Sequence, residues 1–126
     1  YRNLKKVGQA MAKVIIYHNT RCSKSRQTLA MLEDKGLDIE VIEYLKTPPD
    51  STALKSILQA LDISARELMR TKEAVYTELK LEDSSLSEDG LIQAMIENPI
   101  LIERPIVSYR GKCAIGRPPE NVLKIL

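Results

Sequence analysis

The 126-residue chain contains no phenylalanine, no tryptophan and a single histidine. Its core must therefore be aliphatic, assembled from Leu, Ile, Val, Met and Ala with a contribution from five tyrosines. There are two cysteines, Cys22 and Cys113, far apart in the chain. That pattern excludes a disulfide framework, a C-x-x-C switch and a cysteine-rich zinc site. No apolar run approaches the roughly 18 residues a membrane span needs. The amino end, "YRNLKKVGQAMA", also lacks the apolar centre of a signal peptide. An excess of one charge is missing too. Nineteen basic residues against seventeen acidic leave a formal charge of +2, too balanced for nucleic acid as the main partner. Any preference for anions must come from local clustering. The expectation is a cytoplasmic protein, in a compartment where a free thiol stays reduced.

What is present is globular in kind, with 44% hydrophobic and 29% charged residues. Residues 1–12 read as an extension or an expression remnant, and 13–126 as one domain. "KVIIY", 13–17, is a β-branched run expected of a strand buried on both faces. Loop residues His18, Asn19 and Thr20 follow, then a helix beginning near Cys22 and stopping at Gly36. "DIEVIEYL", 38–45, reads as a second strand, so the opening is a β-α-β unit with a parallel pair. Residues 50–98 form a helical block. Asp50 or Ser51 starts its first helix, Ser64 and Glu67 match a capping box, a short helix covers 72–79, and Ser87 starts another through Glu97. Two β-rich runs, 106–109 and 112–115, flank Arg110-Gly111 as a hairpin. Pro118 and Pro119 then suit the first turn of a last helix ending at Leu126.

The stretch "YHNTRCSKSR", 17–26, carries the chemistry. A thiolate is the nucleophilic form of cysteine, and a free cysteine's pKa of about 8.5 leaves little of it at neutral pH. A sulfur at a helix amino terminus meets free backbone N–H groups and the positive end of the helix dipole. Arg21, Lys24 and Arg26 lie close in sequence, and His18 adds a fourth positive charge if protonated, or steers a proton. Ser25 is placed to donate a hydrogen bond across the first turn. The same loop is a cradle for a tetrahedral oxyanion, so nucleophile and anion site coincide. An isolated cysteine is usually a small buried hydrophobe. The strand–loop–Cys–helix setting singles out Cys22, whereas Cys113, inside a strand pattern, reads as core.

Four motifs in order, "YHNTRCSKSR", "ARELMRTKEAVY", "NPILIERPIV" and "IGRPPENVLKIL", resemble the glutaredoxin-coupled arsenate reductase family from about Lys13 to Leu126. The resemblance implies an α/β, thioredoxin-like three-layer fold with a mixed sheet and an inserted helical block. It places the family's nucleophilic cysteine on Cys22 and its nearby histidine on His18. Three oxyanion-binding arginines fall on Arg70, Arg104 and Arg117, with Ser25, Arg26 and Pro105 in support. Pro105 occupies the position of the cis-proline that lies beside the thiol in such folds, so Arg104–Pro105 is expected to be a cis bond.

The activity so implied is arsenate reduction. Cys22 attacks arsenic, glutathione serves as co-substrate, and glutaredoxin resolves the mixed disulfide as arsenite leaves. No metal and no bound cofactor are needed. Arginine suits the oxyanion because its planar fork pairs bidentately and keeps its charge. Arg21 and Lys24 depart from the smaller residues of better-studied members, and the charged tail of those members is missing. This is the pattern of a short housekeeping branch. A glutathione-dependent reductase of another oxyanion, or of a protein mixed disulfide, would use the same site. The Spx-type regulators share the fold and bind RNA polymerase, but their C-x-x-C switch is here "CSKS". That difference favours an enzyme over a noncatalytic binding module.

Overall fold

The apolar run after Lys13 forms the central strand it implies. In the computed structural model, which describes residues 13–126, this strand is β1 (Val14–His18), with Val14, Ile16, Tyr17 and His18 all buried. The expected extension at 1–12 lies outside the described residues. The described residues divide into two compact units, one containing residues 13–43 together with Arg104–Leu126, the other Tyr44–Glu103.

In the first unit, β1 leads through helix α1 (Ser23–Asp34) to β2 (Ile39–Glu43), which lies parallel to it with Ile16 opposite Val41. The later strands β3 (Ile106–Tyr109) and β4 (Lys112–Ile115) add antiparallel ladders, giving a mixed sheet in the order β2-β1-β3-β4. This is the expected α/β, thioredoxin-like arrangement. Side chains two apart on a strand share a face, so Val14 and Ile16 enter one core with Leu32 of α1, Val107 and Val122. Leu29, three residues before Leu32, packs against the same cluster. Gly36 stops the helix with a positive φ of 67°. The Arg110-Gly111 turn has φ of 52° and 80°, the two positive values that a two-residue hairpin of the type I′ kind requires.

Two expectations shift in detail. The second strand ends at Glu43 rather than at 45, and the last helix is a 3-10 helix, Pro119–Ile125. Adjacent prolines at its start remove N–H donors, and a short terminal segment settles into the tighter i→i+3 pattern. It packs on β4 and α1.

The second unit is helical. Helices α2 (Ser51–Leu61), α3 (Ala65–Leu68), α4 (Ala74–Glu78) and α5 (Glu88–Glu97) are followed by a 3-10 turn, Pro99–Leu101. α5 packs against α2, α3 and that turn, burying Leu54, Ile57, Leu58, Leu68, Leu91, Ile92 and Met95. The Arg66 guanidinium ties the following loop by donating to the carbonyls of Leu81 and Asp83, at 2.6 and 3.0 Å, and to the Tyr76 hydroxyl. No helix among the described residues is long and apolar enough to cross a membrane.

Candidate active site around Cys22

The turn between β1 and α1 is built by Asn19. Its side-chain oxygen accepts the Arg21 N–H at 2.9 Å and its carbonyl accepts the Cys22 N–H at 3.0 Å. This Asx turn reverses the chain within three residues and delivers Cys22 to the N-cap of α1. Cys22 has extended backbone angles, its side chain makes no capping hydrogen bond, and the first turn of α1 contains no acidic residue. An α-helix leaves its first amides without intrahelical acceptors. Those of Ser23, Lys24 and Ser25 open the helix directly after Cys22, which is buried.

Arg117 reaches that sulfur from the other end of the unit's sequence. Its Nη2 donates to Cys22 Sγ at 3.6 Å and its Nε donates to the Arg104 carbonyl at 2.8 Å. One guanidinium thus binds the Cys22 sulfur and the neighbouring arginine segment together. Arg104–Pro105 is cis as expected, and Arg117–Pro118 is a second cis bond that the sequence did not suggest. Arg104 is half-buried with its Nε enclosed, and Pro105 is buried beside the start of β3. Arg26 turns back, its Nη1 donating to the Thr20 carbonyl at 2.9 Å, and so holds the loop.

Ser25 and His18 contact each other at the turn. The Ser25 hydroxyl lies 2.6 Å from His18 Nδ1 and accepts the Asn19 N–H at 3.0 Å. It is engaged with the end of β1 and the turn, not donated across the first turn to the sulfur. Burial pushes the pKa of His18 below its usual value. Glu43 opposes this, Arg26 adds to it, and Glu33 opposes it more weakly. Near neutral pH the imidazole therefore carries less positive charge than an ordinary histidine would. Cys113 is half-buried in β4, opposite Ser108. Its thiol pKa is raised by burial, with the Ser108 hydroxyl partly offsetting this, as suits a structural cysteine.

Arg70 belongs to the other compact unit and has its own support there. Its N–H donates to the Leu101 carbonyl at 2.7 Å, Glu73 approaches Nη2 at 3.1 Å, and Glu103 lies 3.9 Å from Nη1. That Nη1 is enclosed, and among the described residues it has no hydrogen-bond acceptor. The structure thus gathers Cys22, His18, Ser25, Arg26, Arg104, Pro105 and Arg117 in one unit, with Arg70 in the other. Among the described residues no group of three His, Cys, Asp or Glu side chains is placed to hold a metal ion. Sequence reasoning read Asn19 only as a loop residue, although an Asn in the turn between a strand and a helix is a turn signal in its own right. It also passed over Gly116 and Thr28, which meet only in the folded chain.

Residues 17–125 match the ArsC family. The chain is 60% identical over 114 residues to "Uncharacterized protein YfgD" of Escherichia coli K12, covering 90% of this chain and 96% of that protein. It is 48% identical over 117 residues to an arsenate reductase of Neisseria meningitidis serogroup A, covering 92% of this chain and all of that one. A solved arsenate reductase of Vibrio cholerae superposes with a TM-score of 0.88 at 53% identity, covering 91% of this chain and 98% of the other. The chain belongs to the ArsC family.

Proposed function

We propose that this member of the ArsC family is an oxidoreductase that reduces arsenate to arsenite, with Cys22 as the nucleophile. The observation that carries the reading is the Arg117 Nη2 donor 3.6 Å from the Cys22 sulfur at an uncapped helix start. A cation and open amides at one point hold a tetrahedral oxyanion against the sulfur. Arginines 104 and 117 bind the oxyanion together with the first-turn amides of α1. The arsenate reductases named among the relatives support this substrate.

In the first step the Cys22 thiolate attacks As(V), and one arsenate oxygen, after protonation, leaves as water. The product is a Cys22–S–As(V) adduct. The thiolate of glutathione then attacks the Cys22 sulfur. The electron pair of the S–As bond goes to arsenic, which departs as arsenite, As(III), and a Cys22–glutathione disulfide remains. Glutaredoxin's thiol takes the glutathionyl group and restores Cys22. The two electrons come from two thiols, so no resident cofactor is required. The reading places the reaction in the reducing cytoplasm.

The test is arsenate-dependent NADPH oxidation in the presence of glutathione, glutaredoxin and glutathione reductase, for the native chain and Cys22→Ser. Turnover that requires both arsenate and Cys22 is expected. No turnover, with Cys22 still readily glutathionylated, would move the same chemistry to another oxyanion or a protein mixed disulfide. No turnover and an inert Cys22 would remove the enzyme reading.

A further inference from the structure

Gly116 follows β4 and precedes Arg117, where the chain crosses close to α1. A methyl group there would lie 2.5 Å from Thr28 Oγ1, 3.3 Å from Thr28 Cγ2 and 2.8 Å from Pro105 Cγ. Neither neighbour gives way easily. Thr28 is fully buried, and its hydroxyl donates to the Lys24 carbonyl at 2.8 Å, one turn back in α1. Pro105 is a buried ring whose carbonyl accepts the Gly116 N–H at 2.9 Å. The backbone of Gly116 is not in the left-handed region. Space, not conformation, is what calls for glycine here.

We propose that Gly116 is a positioning residue for Cys22: its missing side chain lets the Arg117 segment close on α1 and sets the guanidinium at the sulfur. Carbon atoms in contact sit about 3.5–4.0 Å apart, so a Cβ at 116 must displace something by about an ångström. Thr28 and Pro105 are fixed, and the segment carrying Arg117 is the part able to move. Its Nη2–Sγ distance of 3.6 Å leaves little margin before the hydrogen bond is lost. The chain of effect is short: Gly116 sets the packing gap, the gap sets Arg117, and Arg117 bears on the thiol.

The inference rests on the reading of Cys22 as the reactive thiol, but its test needs no arsenate. Iodoacetamide alkylation of Cys22 and Cys113 is followed at neutral pH by peptide mass spectrometry. Gly116→Ala should slow Cys22 by about 3- to 10-fold, the worth of one weakened charge-assisted hydrogen bond, and leave Cys113 unchanged. In an Arg117→Gln background the same substitution should have almost no further effect, because the group through which it acts is gone. Adding Thr28→Ala to Gly116→Ala should recover part of the lost rate. Thr28→Ile crowds the same contact from the helix side, and it serves if Gly116→Ala does not fold. It should slow Cys22 only while Arg117 is present. A native Cys22 rate in either crowded variant, or equal slowing with and without Arg117, overturns the proposal. An inert Cys22 in the native chain would instead sink the proposed function.

Discussion

Three of the four helix starts in the helical unit differ in kind from the start of α1 in the sheet unit; the short α4 begins at Glu73 with no side-chain cap. In the helical unit, α2, α3 and α5 begin at Asp50, Ser64 and Ser87. Each side-chain oxygen accepts the N–H three residues on, at 2.8, 3.2 and 3.0 Å. Ser64 is further matched by Glu67, whose carboxylate accepts the Ser64 N–H at 2.9 Å. That pairing holds the Glu67 carboxyl below its usual pKa. In the sheet unit, α1 begins at Cys22 with no such bond and no acid in its first turn. A capped start is mechanically secure and chemically closed. An open start gives up about 1 kcal/mol of capping and keeps its amides and dipole for an incoming anion. The loop before α1 is held by other means: the Asn19 turn, the Ser25–His18 contact and the Arg26 clamp.

The largest test of this difference is to close the open start. Cys22→Asp should abolish thiol-dependent turnover altogether while raising unfolding stability by about 0.5–2 kcal/mol, the worth of an N-cap. A urea titration and the coupled assay on one preparation would read both. A stability loss would show that Cys22 is held by packing and not left uncapped for chemistry.

Next in size is Arg117→Lys. The charge is kept, but a single ammonium cannot hold both the Arg104 carbonyl and the Cys22 sulfur in the fork geometry. A fall in kcat/KM of about 10- to 100-fold is expected, or about 1.4–2.7 kcal/mol. Full activity in the lysine protein would reduce Arg117 to a general positive charge.

The converse substitution, Ser87→Ala at a closed start, should cost about 1 kcal/mol and leave Cys22 alkylation at its native rate. A slowed thiol would mean that the two kinds of helix start are not functionally separate.

The smallest effect is the pH response of His18. Its folded pKa is lowered by burial, so between that value and the ordinary 6.5 the unfolded chain binds more protons. Stability from this group is present above pH 6.5 and declines as pH falls below it. Between about pH 7 and pH 5.5, His18→Asn should show a flatter urea midpoint than the native protein. Parallel curves would return the charge to the folded histidine.

Much of this was readable in the chain. The Arg110-Gly111 hairpin, the Asp50 and Ser87 caps and the Ser64–Glu67 box depend on groups no more than three residues apart. Their turn and cap chemistry is therefore fixed locally. The place of Cys22 at a helix start was readable for the same reason, since a buried strand, a polar turn and a helix start follow one another directly. The helix type at the carboxyl end was not. Proline at a helix start is compatible with either an α or a 3-10 helix, and packing on β4 and α1 accompanies the tighter form. Ser25 could have faced the sulfur or the histidine from sequence alone, because both lie within reach of the first turn.

By itself, then, the sequence determined the order of elements, the aliphatic core, the helix start that presents Cys22 and the resemblance that led to its family. Tertiary structure alone lowered the pKa of His18, because that shift follows from burial. It alone placed the Arg117 guanidinium on a sulfur 95 residues away. It alone turned Gly116 into a gap between a buried threonine and a proline ring. Caps and turns are settled by neighbours along the chain. Desolvation, contact between distant side chains and the space left for a missing one arise only when separate elements are packed together.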